Sequence, residues 1–235
     1  MSDIGSLSQC GQVAGAARSQ RSGVTIAPRT TDDLAALARI FEATFKATGY
    51  PVEGPPTLYY DSAAPTLVEY FSGIPSQELG GFVAVDDGDD ATKTTVEHGS
   101  SNRNVPTSLP QRKILGHVSL RRVGHQSLET KLWNAFTGRA SASAASDCLW
   151  GVSRLAIDPA MQKRGVGGRL MDYVEQEARV AGKTLVLGVL DKDVAAIRMY
   201  ERRGWIRFGQ EEGYAGRDGR LWTMYYYGLS NESLS

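Results

Sequence analysis

Apolar positions in this chain come in two rhythms, separated by long polar stretches. Short apolar runs read as strands: "VTIAP" (Val24–Pro28), "GFVAVDDG", "KILGHVSLRRV" and "CLWGVSRLAI", the last stopped by Pro159. "KTLVLGVL" is apolar throughout, as a strand buried on both faces should be, and "WIRFGQ" and "RLWTMYYYGL" complete the set. Helical spacing appears in "TDDLAALARIFEATFKAT", where Leu34, Leu37, Ile40, Phe41 and Phe45 fall on one face after a Thr31 or Asp32 cap. It recurs in "GGRLMDYVEQEARVAG", with Leu170, Val174, Ala178 and Ala181 aligned, and in "DVAAIRMYERRG", capped by Asp193 and closed by Gly204. "TLVEYFSG" reads as a further helix.

The order β-α-α-β-β followed by β-α-β-α-β-β predicts an α/β (α+β) fold. Its sheet is mixed, mostly antiparallel and twisted, with about six to seven strands and helices on both faces. The polar stretches carry Ser, Thr, Gly, Asn and Asp without an apolar period. They predict a disordered tail over 1–22 and loop insertions near 86–112 and 124–147 within a single domain over 24–229. Composition adds little beyond a soluble globule: 41% hydrophobic, 22% charged, and 26 basic residues cancelled by 26 acidic ones. That balance supplies no general attraction to nucleic acid or membrane, and no apolar run nears the ~20 residues of a span. Cys10 and Cys148 form no disulfide framework, which points to a cytoplasmic setting, with Cys148 expected as a small buried strand residue. The acid-poor, arginine-ending start leaves an organellar transit peptide as the alternative.

Candidate chemistry centres on "DPAMQKRGVGGRL", where a strand ends, the chain turns, and a helix begins near Gly167 or Gly168. The first amides of a helix lack backbone partners and sit at the positive end of its dipole, so they suit an anion. Gln162, Lys163, Arg164 and Arg169 add donors, and Gly165, Gly167 and Gly168 permit close approach around Val166. Alone, the segment is either a turn that opens a helix or a cradle for a pyrophosphate. Two other phosphate motifs fail: Leu170 takes the third glycine of a dinucleotide fingerprint, and Glu177 takes the first glycine of a P-loop ending in "AGKT". No His, Cys or carboxylate cluster has metal spacing, and His98 and His125 read as solvated loop residues.

"RLAIDPAMQKRGVGGRLMDYVE" resembles the acetyl-CoA-binding motif of the GNAT superfamily of N-acetyltransferases, Gln/Arg-x-x-Gly-x-Gly/Ala, through Gln162, Gly165 and Gly167. "DVAAIRMYERRGW" resembles the family's second segment through Asp193, Ala196, Tyr200 and Gly204-Trp205. The resemblance implies acetyl-CoA as co-substrate and no metal. It places the pantetheine arm along the backbone of Leu155, Ala156 and Ile157, and the pyrophosphate over Gln162–Gly168. Tyr200 becomes the acid for the departing thiolate. Asp193 stands where the family usually has Asn and lacks its amide donor.

The family's usual strand glutamate is absent from Gly151-Val152-Ser153-Arg154-Leu155, so His117, Asp147 and Glu42 are the candidate bases. Glu211 and Glu212, read as a loop between the last strands, could attract a cationic amine. "YYY" (Tyr225–Tyr227) reads as packing on the last strand. The implied reaction moves an acetyl group to a small-molecule primary amine in a ternary complex, by a monomer or homodimer. The alternatives are a peptide or protein amine, and a non-catalytic acyl-CoA-binding module.

Overall fold

A computed structural model describes residues 23–49, 78–86, 112–138, 148–215 and 220–230. Seven strands form one sheet: β1 (Val24–Pro28), β2 (Glu78–Asp86), β3 (Ile114–Arg122), β4 (Leu149–Ile157), β5 (Thr184–Leu190), β6 (Ile206–Ala215) and β7 (Leu221–Leu229). Their spatial order is β1-β2-β3-β4-β5-β7-β6. Every pairing is antiparallel except β4 with β5. That one parallel pair is joined through a helix, the crossover that parallel neighbours require.

The helices are α1 (Leu34–Thr48), α2 (Leu128–Thr137), α3 (Val166–Val180) and α4 (Val194–Arg202). The period-two alternation of the strands sorts them into two layers. On one face Phe82, Leu115, Val118, Leu185 and Leu187 pack with Leu170, Met171 and Val174 of α3 and Tyr200 of α4. On the other, Val83, Ile114 and Ala156 receive Leu37, Ile40 and Phe41 of α1. Further along that face, Val186, Leu190 and Tyr226 join Trp133 of α2 and Phe208 of β6.

The stretch expected as a loop over 124–147 therefore contains a helix. Ser127 caps α2 by accepting the Thr130 amide at 3.2 Å, and Gly138, with φ of 67°, closes it. Leu128, Leu132 and Phe136 recur every fourth position in its "LETKLWNAF", so a short amphipathic period was present between polar flanks. Its Trp133 ring lies over Gly228 of β7, where an added Cβ would collide with the ring edge. Gly228→Ala is expected to cost about 1–3 kcal/mol by overpacking. A thermal melt should show the loss, and adding Trp133→Leu should recover part of it.

Other boundaries also differ from expectation. α3 begins at Val166, a residue before the glycine pair, because Gly165 already takes the left-handed cap conformation at φ of 80°. β6 continues to Ala215, so Glu211 and Glu212 are strand residues; Glu211 pairs with Met224 of β7 and its carboxylate accepts the Tyr226 hydroxyl at 3.2 Å. Cys148 is exposed in the turn before β4 rather than buried in the strand. Tyr226 and Tyr227 are buried and Tyr225 half-buried, in keeping with a packing role. The helix expected at "TLVEYFSG", the tail 1–22, His98 and Asp147 lie outside the described residues.

Candidate functional site

β4 and β5 begin as neighbours and then part. Leu149, Trp150 and Gly151 pair with Thr184, Leu185 and Val186, and the ladder stops there. β4 then breaks its register with β3: His117 faces Ala156 and Ser119 faces Ser153, so Arg154 and Leu155 together oppose Val118. This is a β-bulge, and Arg154 carries it in the left-handed region at φ of 55°. Beyond it β4 leans away from β5, which stays with β7 up to Leu190. The result is a wedge-shaped gap in the middle of the sheet, walled by Leu155–Ile157 on one side.

α1 closes one face of the gap, touching both diverging walls. Thr44 donates to the Ile157 carbonyl at 3.2 Å, and Lys192, just past β5, donates to the Thr48 carbonyl at 2.8 Å. On the opposite face, Leu155, Ile157, Val166, Ala196 and Tyr200 belong to one hydrophobic cluster. Gly167 sits at the junction of that arrangement, where an added Cβ would make ordinary contacts with Ile157 at 3.5 Å and Met199 of α4 at 3.8 Å. The two sequence segments singled out above thus converge on one end of the gap.

The turn into α3 is built for access. Asp158 accepts the Ala160 amide at 2.9 Å, starting a 3-10 turn through Pro159–Met161. Lys163 and Gly165 then take positive φ, and Gln162, Lys163, Arg164 and Gly165 are exposed. Helix geometry leaves the amides of Val166, Gly167 and Gly168 without acceptors in their own helix, and the first such bond runs from the Arg169 amide to Gly165. Nothing lies within 4 Å of a Cβ built on Gly165 or Gly168. Packing therefore does not require glycine at 168. Open space over unpaired amides is what a phosphate needs, so these residues fit the pyrophosphate of CoA. Arg169 is already committed in part, donating to the Val24 carbonyl at 3.2 Å.

Tyr200 is buried in α4, with its ring 5.7 Å from Trp205 and 6.3 Å from Tyr227. Burial, and then the Asp193 carboxylate, push its phenol well above the ordinary range, so it stays protonated. Asp193 occupies the N-cap position of α4 but makes no side-chain cap bond, contrary to the expected capping role; its carboxylate contacts Lys192 at 3.4 Å.

His117 sits elsewhere, fully buried on the α1 face, 6.1 Å from the Phe41 ring. Its Nδ1 contacts the Arg154 carbonyl at 3.1 Å, and its Nε2 lies 3.5 Å from both Arg29 and Ser119. Burial, reinforced by the two arginines, lowers its pKa to about 3 against the opposing Arg154 carbonyl bond. An imidazole so hard to protonate makes a weak proton acceptor at neutral pH. Glu42 is on the outer part of α1, paired with Lys46 at 2.7 Å.

The resemblance implies a bulged strand near Leu155–Ile157, and the bulge falls at Arg154 and Leu155; the charged groups around it have no counterpart in the sequence reading. Arginine gives no hint of positive φ, and Arg29, Glu78 and Arg154, which meet beneath it, are far apart in the chain.

A parallel pair that splays at a bulge thus stands beside the glycine-rich helix start that the sequence motifs single out. Residues 107–205 match the sequence model of the Acetyltransferase (GNAT) family. That stretch, less than half of the chain, is similar in sequence to the GNAT superfamily. Among curated proteins it is 36% identical over 62 residues to the S-(2-succino)cysteine N-acetyltransferase of Bacillus subtilis (strain 168), covering 24% of this chain. That match spans only 36% of the relative's own length.

The GNAT fold itself extends over most of the chain. An N-acetyltransferase from Staphylococcus aureus Mu50 superposes with a TM-score of 0.57 at 17% identity, covering 89% of this chain and 99% of that one. Arabidopsis thaliana NAA60 in complex with acetyl-CoA gives 0.59 at 17% identity, covering 88% and 97%. Among the described residues no helix is long and apolar enough to cross a membrane, and no acidic, histidine or cysteine group could hold a metal.

Proposed function

We propose that this GNAT domain transfers an acetyl group from acetyl-CoA to the primary amine of a small molecule in a ternary complex. The observation that carries the reading is the gap between β4 and β5, which opens beside the unpaired amides of α3 and the phenol of Tyr200. Gln162–Gly168 hold the pyrophosphate, with Lys163 and Arg164 supplying charge, and the backbone of Leu155–Ile157 pairs with the extended arm. The acetylated sulfur then lies between the strands, on the Tyr200 side.

The reaction asks three things of these residues. A β4 amide donates to the carbonyl oxygen as negative charge develops there, a fixed dipole that needs no reorganisation. The attacking nitrogen bonds to the carbonyl carbon and sheds a proton to solvent. As the C–S bond breaks, Tyr200 gives its proton to sulfur and is re-protonated from water. An acceptor with a lysine-like pKa near 10.4 must arrive as the minority free base, so the rate should rise with pH through neutrality.

The small-molecule choice is supported by the curated relative, whose named substrate is a modified amino acid. A cytoplasmic setting agrees with a cysteine content too low for a disulfide framework. The test is release of free CoA across a panel of amino acids, polyamines, aminoglycosides and short peptides, with mass spectrometry of each product. Acetylation of one small amine above the rest is the expected result. Preference for peptides would move the acceptor to a protein amine, and no release with any amine would leave only acyl-CoA binding.

A further inference from the structure

A buried polar lock lies on the α1 face directly behind the β4 bulge. Glu78, at the start of β2, accepts from Arg29 at 3.1 Å, from Ser119 at 3.2 Å and from Arg154 at 3.2 Å. Those three charged side chains are only 8%, 3% and 9% exposed for Arg29, Glu78 and Arg154. A carboxylate and two guanidiniums withdrawn from water this far are costly for stability alone, which makes an ordering role the better account of them.

Arg154 is held twice. Its guanidinium is tied to Glu78, and its carbonyl meets Nδ1 of His117 at 3.1 Å. A carbonyl can only accept, so Nδ1 carries the proton and Nε2 is left as the acceptor. Nε2 faces the Arg29 guanidinium, a donor, at 3.5 Å; Ser119 Oγ lies at the same distance, with its one proton given to Glu78. The tautomer and ring orientation are thereby fixed from both ends. The consequence falls on the next peptide group. In a trans peptide the carbonyl and the following N–H point in opposite directions. Anchoring the Arg154 carbonyl on the His117 ring therefore turns the Leu155 N–H to the opposite side, away from that ring.

We propose that His117 and Glu78 are positioning residues, which lock the strained Arg154 conformer and so aim the Leu155 amide at the thioester carbonyl. This rests on the acetyltransfer reading, because that reading supplies the carbonyl. It gives His117 a task other than proton abstraction. The lock joins β2, β3 and β4 to Arg29, the residue after β1, so distant parts of the chain converge on one peptide group.

The test uses the full chain with His117→Leu, His117→Asn and Glu78→Gln. Asparagine restores a side-chain N–H near the Nδ1 position, whereas leucine only fills space. In His117→Leu, amide exchange in the β4 peptide covering Val152–Ile157 should quicken about tenfold, the scale of one lost hydrogen bond. Turnover should fall by a similar factor while the KM for acetyl-CoA stays within about twofold, because the lost contact matters only as charge develops. His117→Asn should recover both readouts. Glu78→Gln, which keeps the shape and loses the charge, should give the same split in milder form if leucine prevents folding.

Unchanged β4 exchange in His117→Leu and Glu78→Gln overturns the proposal, and so does a His117→Asn variant as impaired as leucine. A wild-type protein that acetylates nothing refutes the transfer reading instead, and the exchange data then still decide whether the lock holds the bulge.

Discussion

Tyr200→Phe is expected to lower kcat by about 10²-fold or more while leaving the affinity for CoA unchanged. The change removes one hydroxyl and nothing else. The ring keeps its contacts with Trp205 and Tyr227 and its place in the cluster that joins α3, α4 and the end of β4. Because the ring remains, the wall of the gap keeps its shape. What goes is the hydroxyl that donates to the departing sulfur in the proposed mechanism. A free thiol has a pKa near 8.5, well below that of this buried phenol, so the phenolate left when the proton moves to sulfur is the stronger base and is re-protonated at once from water. The resting phenol is therefore protonated throughout the working range, and kcat should show no alkaline limb from its ionisation.

Two measurements decide the matter together, a turnover assay and a CoA titration on the same preparation. Equal turnover in the two proteins removes Tyr200 from the chemistry. A joint loss of turnover and binding makes it a packing residue.

The parts of this molecule that were legible in its sequence share one property: their signal is local. The apolar repeat of α3, the continuous run of β5 and the glycine turn between Met161 and Leu170 each declare themselves within a dozen residues. Where local signals competed, the reading slipped. The alternation of β6 was lost because "QEEGY" has too many exposed polar residues to look like strand, although an edge strand at the end of the sheet can expose them. α2 was hidden because its 10 residues carry a single apolar face between polar flanks.

The lock behind the bulge was beyond reach for a different reason. Arg29, Glu78, His117 and Arg154 are brought together only by the pairing of β1 to β4, and no pairwise spacing in the chain foretells it. The glycine turn was thus local and readable. The contacts behind the bulge are a tertiary property.

Gly168→Asp should separate stability from binding in a way that no packing account of the glycine turn permits. A Cβ at Gly168 meets nothing within 4 Å, and the residue is the third of α3. An ordinary side chain there loses less backbone entropy on folding than glycine, and a carboxylate in the first helical turn gains about 0.3–1 kcal/mol from the dipole. The variant should melt at the wild-type temperature or above. The same carboxylate would stand over the amides of Val166 and Gly167, where the pyrophosphate belongs. Two like charges about 5 Å apart at an effective dielectric of about 20 repel by roughly 3 kcal/mol, so CoA affinity should fall about 10²-fold.

Gly168→Asn, with the same volume and no charge, should lose much less, and added salt should narrow the difference between the two. Gly165→Ala supplies the contrast. Its φ of 80° makes any side chain there costly by about 1–2 kcal/mol, so stability itself should drop. If Gly168→Asp binds CoA as wild type does, the anion is not held by the start of α3, and the glycines serve only the turn.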